Sequence, residues 1–250
     1  MRKHYMILPD IHSPYDDHKA LGLAEKTFVD GKFDGLICLG DAVDFYCISQ
    51  HDKDPARKND LQWEVDEGRR MFRRWEKLIA KVCPGQRIKY TLGNHEYRLE
   101  RFINDKAPQM FRMHKYETLM GLDKTKWEVI PYRKTLRVGK LNITHDAKYA
   151  GSDAHKRTRA KYGGNIVIGH THRMSIDYLG NLQRKSHVGA MFGWLGNYRE
   201  IDYDHEVSAA EWVLGFGTGW HDDRTDIVRL HCHPIIGYEV EVDGQFYKGA

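Results

Sequence analysis

Tyr5-Met6-Ile7-Leu8 is an unbroken apolar run that stops at Pro9-Asp10-Ile11-His12, and Asp34-Gly35-Leu36-Ile37-Cys38-Leu39 is a second that stops at Gly40-Asp41. Ala20 to Val29, between them, reads as a helix, so the chain opens strand, helix, strand. From Leu61 to Val82 the apolar or small positions Leu61, Val65, Gly68, Phe72, Trp75, Ile79 and Val82 recur at alternating spacings of four and three, which predicts an amphipathic helix. Pro84-Gly85 ends it. Arg87 to Leu92 alternates like a strand and runs into Gly93-Asn94-His95-Glu96, after which Tyr97 to Met120 is predicted helical with a break at Pro108.

Further strands are predicted at Trp127 to Ile130, Thr135 to Val138, Leu141 to Thr144, Asn165 to Ile168, Ile227 to His231 and Tyr238 to Val242. Gly139-Lys140 and Asp243-Gly244 supply hairpin turns. The C-terminal third is rich in strands and glycine, which fits a second sheet packed on the first. No internal repeat, low-complexity tract or linker interrupts the pattern. At 250 residues this predicts a single α/β domain over 1–250.

Composition narrows the class. Hydrophobic residues make up 41% and charged residues 30%, and no apolar run approaches the ~20 residues of a membrane span. The N-terminus enters a core strand directly, without the apolar segment of a signal peptide, so a cytoplasmic location is expected. Cys38, Cys47, Cys83 and Cys232 show no Cys-x-x-Cys pairing and read as reduced thiols. A net charge of +4 permits a nucleic-acid partner without demonstrating one. The fifteen histidines say more, because neutral imidazole is the commonest metal ligand.

Metal-type side chains sit just past apolar runs: Asp10 and His12, Asp41, Asn94, His145, and His170 with His172. Open α/β sheets bind ligands beyond the carboxyl ends of their strands. In an extended segment residues i and i+2 point the same way, so each of the pairs Asp10/His12 and His170/His172 can aim two ligands into one pocket.

Asp10-Ile11-His12, Gly40-Asp41, Gly93-Asn94-His95-Glu96, His145 and Gly169-His170-Thr171-His172, in that order, resemble the motifs of the calcineurin-like metallophosphoesterase superfamily. The resemblance spans residues 8 to 172, and the layout is similar to the compact members of phages and prophages. It implies a four-layer αββα sandwich of two mixed β-sheets flanked by helices. It also implies two divalent transition-metal ions, with Mn the best guess and Fe, Zn, Ni or Co the other candidates. Asp10, His12 and His172 would hold one ion, Asn94, His145 and His170 the other, and Asp41 would bridge. Two such cations lower the pKa of a shared water to give a hydroxide nucleophile, and clamp the phosphate oxygens during attack. His95 is then expected as general acid or leaving-group stabiliser, with Asp44 orienting it and affecting turnover more than metal binding.

Plainer readings compete elsewhere. His4, His18, His51, His114, His155, His187, His205 and His221 are taken as core or surface residues. His231-Cys232-His233 lacks a partner pair for a metal site. The arginines and lysines between Arg69 and Lys81 suit a solvated helix face paired with Glu67 and Glu76 better than a phosphate track. Met191 to Leu195 and Trp212 to Phe216 suit core better than a base-stacking platform. Tyr46, His51, Lys53, Arg57 and Lys58, with Tyr97, Arg98 and Arg101, follow site loops and are expected at the rim. Arg98, Asn94 and His51 are the expected substrate contacts, with a structural ion pair the alternative for Arg98.

Two departures from the family pattern matter. Asp44 is followed by Phe45-Tyr46 where Ser/Thr protein phosphatases carry Arg-Gly, which argues against phosphoprotein substrates. Asp146 follows His145 where relatives often have glycine, and would either hydrogen-bond a ligand histidine or alter the loop. The phage-like layout points to phosphodiesters of nucleic acid or nucleotides in a host cytoplasm, with phosphomonoesters of nucleotides, polynucleotide ends or phosphoproteins the alternative, and a metal-dependent binding module without chemistry the third.

Overall fold

The computed structural model describes residues 1–51, 53–54, 60–111, 115–180, 182, 185–200 and 209–249. Its strands are β1 Arg2–Leu8, β2 Gly35–Cys38, β3 Ile88–Thr91, β4 Trp127–Ile130, β5 Leu136–Val138, β6 Leu141–Thr144, β7 Asn165–Ile168, β8 Met174–Gly180, β9 Ser186–Phe192, β10 Gly215–Asp222, β11 Val228–Pro234, β12 Glu239–Val242 and β13 Gln245–Lys248. Its α-helices are α1 His18–Asp30, α2 Leu61–Val82, α3 Asn94–Lys106, α4 Tyr116–Met120 and α5 Ala154–Tyr162.

Alternation along the strands sorts the layers. On β1, Met6 and Leu8 face the cluster shared with Ala20, Leu21 and Phe28 of α1 and with Val65, Phe72 and Trp75 of α2. Tyr5 and Ile7 point the other way, meeting Leu141, Ile143, Val167 and Val188 of the opposite sheet. On β7, Val167 joins that middle layer while Ile166 and Ile168 turn out against Ala154 of α5. The result is helices, sheet, sheet, helix, as the four-layer αββα expectation requires.

One sheet has the order β11-β10-β1-β2-β3-β4 and the other β5-β6-β7-β9-β8. β1 to β4 run parallel, as do β6, β7 and β9, whereas β10, β11, β5 and β8 pair antiparallel. Both sheets are therefore mixed. The parallel strands of each deliver their carboxyl ends to one rim.

The C-terminal segment departs from expectation. β10 and β11 do not extend the second sheet but return to the first, with β10 lying directly beside β1. Gly215-Phe216-Gly217-Thr218-Gly219 gives no apolar alternation to read, because the bare positions are filled from the facing sheet: a Cβ on Gly217 would sit 2.3 Å from the Phe192 ring.

Local chemistry accounts for the helices. Asp17 caps α1 by accepting from Lys19 N and Ala20 N, and Asp60 caps α2 by accepting from Trp63 N. The long helix runs between the bounds its pattern predicts, and the break at Pro108 is a 3-10 turn, Pro108–Met110. On its outer face Arg70 pairs with Glu67 at 2.8 Å and Arg74 with Glu25 at 2.8 Å. Glu76, expected to pair within the helix, instead reaches Lys126 at 2.7 Å and Trp127 Nε1 at 2.9 Å. His233 is tied to Thr218 Oγ1 and Glu241 O at 2.9 and 2.8 Å, a structural role. All four cysteines are free, and no helix among the described residues is long and apolar enough to cross a membrane.

Trp75 is the anchor between α2 and the sheet. It is fully buried, contacts Phe72 edge-on and donates Nε1 to Glu25. Trp75→Ala removes this ring and leaves Glu25 to Arg74 alone, so denaturant unfolding should show a loss of about 3–5 kcal/mol.

Candidate metal centre

The rim receives Asp10 and His12 after β1, Asp41 after β2, Asn94 at the first turn of α3, His145 after β6, and His170 and His172 after β7. Among the described residues, three sets of side chains bring ligand atoms within 4.8 Å of one another: Asp10, His12 and His172; Asp41, His145 and His170; and His12, Asp44 and His95. The first two agree with the division implied by the resemblance. All seven expected ligands thus line one rim, with His170 the most open of them.

The reason for this convergence differs from the one expected. The paired ligands are not on extended backbone: φ is +38° at Asp10, +59° at His12, +67° at His170 and +56° at His172, with +47° at Asp41. Left-handed backbone at a non-glycine residue costs about 1–3 kcal/mol, and persists where its surroundings over-determine it. Here the loops are stitched together: Ile11 N and His12 N donate to Asp41 O at 2.9 and 2.8 Å, Leu195 N to Asp10 O at 2.9 Å, Val213 N to His172 O at 3.0 Å and Gly169 N to His145 O at 3.1 Å.

Two buried carboxylates, neither assigned this task from the sequence, complete the clamp. Glu96 Oε1 accepts from Ala42 N, Val43 N and the Tyr90 hydroxyl at 2.7, 3.1 and 2.7 Å. Its Oε2 accepts from Asp41 N and Gly93 N at 3.0 and 2.6 Å. Gly93 and Glu96 have the spacing of a capping box, which was the available signal. Glycine is needed at 93, since a Cβ there would fall 2.1 Å from Asp41 Oδ1. Glu64, on the buried face of α2, takes Tyr46 N and Cys47 N at 2.9 Å each. Burial pushes its carboxyl up to about 7.

The ring nitrogens explain what the rim lacks. His12 gives Nδ1–H to Asp44 Oδ2 at 3.0 Å, which turns its Nε2 lone pair toward His172 Nε2, 3.2 Å away. His145 gives Nδ1–H to Leu39 O at 2.8 Å, which turns Nε2 toward Asn94 Oδ1 at 3.0 Å and Asp41 Oδ2 at 3.1 Å. Asp10 Oδ2 and Asp41 Oδ2 are buried with no hydrogen-bond partner. Acceptors crowded against acceptors in a dry cleft repel unless positive charge lies among them. The proton equilibria show the same demand. Burial alone would lower His145, yet Asp41 and Asp10 push it up to about 10. Burial would likewise raise Asp41, yet His145 and His95 hold its carboxyl well below the usual range. Imidazole nitrogens, carboxylate oxygens and an amide oxygen so arranged fit divalent cations.

Asp44 has a wider task than expected. It orients His12 as described, and its backbone oxygen accepts His95 Nδ1–H at 3.0 Å. His95 N donates to Asp41 Oδ1 at 2.9 Å, and its Nε2 lies 3.7 Å from Asp41 Oδ2, so the ring borders the cluster. Burial, with the Arg98 guanidinium alongside, holds His95 at about 4.

The expected substrate contacts fare differently. Arg98 is 7% exposed and bonded to Asp44, the ion-pair alternative, and so is turned away from a direct phosphate contact. His51 is exposed and in none of the three groups. Lys53 is occupied by the Tyr46 and Ser49 carbonyls at 2.8 and 2.9 Å, while Arg57, Lys58, His114 and His205 lie outside the described residues. Asp146 accepts from the Tyr132 hydroxyl at 2.6 Å and from Lys148 N at 2.7 Å, which makes it a shaper of its own loop. Trp194 is buried in the core as expected, but it also stacks on His172 at 5.1 Å, and Trp212 meets the same ring edge-on at 4.2 Å.

No protein-family model matches the chain. Two curated relatives, each called Gene 54 protein, come from Mycobacterium phages L5 and D29. The L5 protein is 24% identical over 262 residues, covering 99% of this chain and 100% of its own. The D29 protein is 25% identical over 271 residues, covering 99% and 100%. Among solved structures, Vps29 of Chaetomium thermophilum overlays with a TM-score of 0.48 at 13% identity, covering 99% of this chain and 100% of that one. The nuclease MPE of Pseudomonas putida overlays with a TM-score of 0.37 at 12% identity, covering 91% and 87%. Overlays this loose say nothing of chemistry, which rests on the chain's own residues. In its pair of mixed sheets and its ordered site residues the chain resembles the calcineurin-like metallophosphoesterases, and its two curated relatives are phage proteins.

Glu96→Gln puts an amide N–H against backbone donors. It should cost about 1–3 kcal/mol in thermal unfolding and weaken divalent-cation binding, read by calorimetry, by roughly 10–100-fold.

Proposed function

We propose that this protein is a hydrolase of phosphoesters that works with two divalent transition-metal ions, Mn foremost, and acts on phosphodiesters of nucleic acid or nucleotides in a host cytoplasm. The observation that carries this reading is the set of buried acceptors facing one another, with Asp10 Oδ2 unpartnered and Asp41 Oδ2 approached by His145 Nε2 at 3.1 Å. Asp10, His12 and His172 would hold one ion, Asn94, His145 and His170 the other, and Asp41, with two oxygens, would serve both. Bound there, such ions acidify water and draw charge from the phosphate oxygens.

The chain's own groups do the rest. Asp44 and Leu39 O fix the tautomers of His12 and His145, so that each presents a lone pair to the centre. Asn94 and His95 start α3 on the substrate side, and His95 is the group assigned to the leaving oxygen. His51, on the open loop beyond Asp44, is the remaining candidate for touching substrate. Asp44 followed by Phe45-Tyr46 withholds the arginine of protein phosphatases, which favours diesters over phosphoprotein. Phosphomonoesters remain the second reading, since nothing in the pocket chemistry forbids a dianion beside two cations.

With Mn present, turnover of bis-p-nitrophenyl phosphate should exceed that of p-nitrophenyl phosphate, and the reverse order would select the monoesterase. Asp41→Asn, or removal of metal with EDTA, should lower turnover by more than about 100-fold, as expected for loss of several kcal/mol of charge stabilisation. Turnover that survives both would rule out the metal mechanism.

A further inference from the structure

Arg98 sits one helical turn after His95 on α3, buried, with its guanidinium spread over two neighbours. Nη1 donates to Asp44 O at 2.9 Å and to Asp44 Oδ1 at 3.0 Å. Nη2 lies 3.0 Å from His95 Nε2. A guanidinium can only donate and a carbonyl can only accept. His95 Nε2 must therefore be the acceptor for Arg98, and His95 Nδ1, 3.0 Å from Asp44 O, must carry the proton. Both ring nitrogens are spoken for, and the orientation of the imidazole is fixed from both ends.

The same carboxylate continues the chain of bonds to the metal side. Asp44 Oδ1 takes Arg98 and Asp44 Oδ2 takes His12 Nδ1–H, so Arg98, Asp44, His95 and His12 form one connected network. The His12 and His95 rings meet edge to face at 4.4 Å. All four residues are buried, so no water competes for these bonds.

We infer that Arg98 is a positioning residue: it holds His95 as the Nδ1–H tautomer with Nε2 toward the guanidinium, and braces the Asp44 carboxylate that orients His12. This rests on the phosphoesterase reading only for its kinetic consequence; the tautomer itself does not depend on it. Nη2 occupies the nitrogen that would have to carry a proton to a leaving oxygen. Nε2 bears no proton while Arg98 donates to it, so His95 can serve a leaving oxygen only after that bond opens and Nε2 has itself taken up a proton, and Arg98 sets the orientation from which the ring starts. Lysine cannot substitute, because its single ammonium cannot span Asp44 and His95 as a planar fork does.

The test uses the full chain labelled with 15N-histidine. In the metal-free wild type, His95 should show a protonated Nδ1 and an unprotonated Nε2, and the opposite tautomer would overturn the inference without any enzymatic assay, even if no phosphoester is turned over. In Arg98→Lys the Nδ1–H on Asp44 O should persist while the Nε2 signal shifts with loss of its guanidinium donor, kcat should fall roughly 10–100-fold and KM should stay within about 3-fold, as the orientation of His95 and Asp44 is lost. A raised KM with kcat unchanged would make Arg98 a direct phosphate contact instead. An unchanged His95 spectrum together with unchanged kcat would reduce it to a structural ion pair, and either result overturns the assignment.

Discussion

Six backbone N–H groups in and around the Asp41 loop end on two buried carboxylates. Glu96, on α3, takes those of Asp41, Ala42, Val43 and Gly93, and Glu64, on α2, takes those of Tyr46 and Cys47. After β2 the loop's described residues hold only the 3-10 turn Tyr46–Ile48, so they have no ladder of their own to satisfy these donors. The two crossover helices supply the acceptors instead. Everything at the rim inherits its position from this grip, because His12 N and Ile11 N hang on Asp41 O, and Arg98 and His95 reach Asp44 from the same helix that carries Glu96.

The grip also supports an unfavourable local state. Five of the ligand-type residues sit on left-handed backbone, and their unshared acceptor atoms point at one another. Neither feature would survive in an isolated loop. Together they describe a centre strained toward holding positive charge, in which carboxylates raise His145 while imidazoles lower Asp41. Groups ordered in advance could receive a cation without the protein first reorganising.

Asp44 links the two halves of the centre. A residue expected to serve His95 alone also fixes His12: its backbone oxygen takes His95, and its carboxylate, which Arg98 neutralises, takes His12. Changes at Asp44 therefore touch His12 and His95 together. The sequence pattern of two aspartates three residues apart does not separate these tasks, since the partner histidines lie 32 and 51 residues from Asp44.

What the sequence determined by itself is whatever depends on short range. The bounds of α2, the break at Pro108 and the polar clusters after β1, β2, β3, β6 and β7 follow from hydrophobic period and strand length, and the convergence of those clusters follows from parallel strands ending on one side. What tertiary structure decided are the contacts between distant segments. β10 inserts beside β1 where the Phe192 ring of the facing sheet fills the space over Gly217. Glu64 and Glu96 become clamps because burial and unpaired backbone donors make a carboxylate worth keeping there. Arg98 turns inward because Asp44 offers two acceptors at 2.9 and 3.0 Å, and Asp146 turns to Tyr132 for the same kind of reason. A charged side chain has the same letter whether it meets substrate or a buried partner; only the fold settles which one lies within hydrogen-bonding distance.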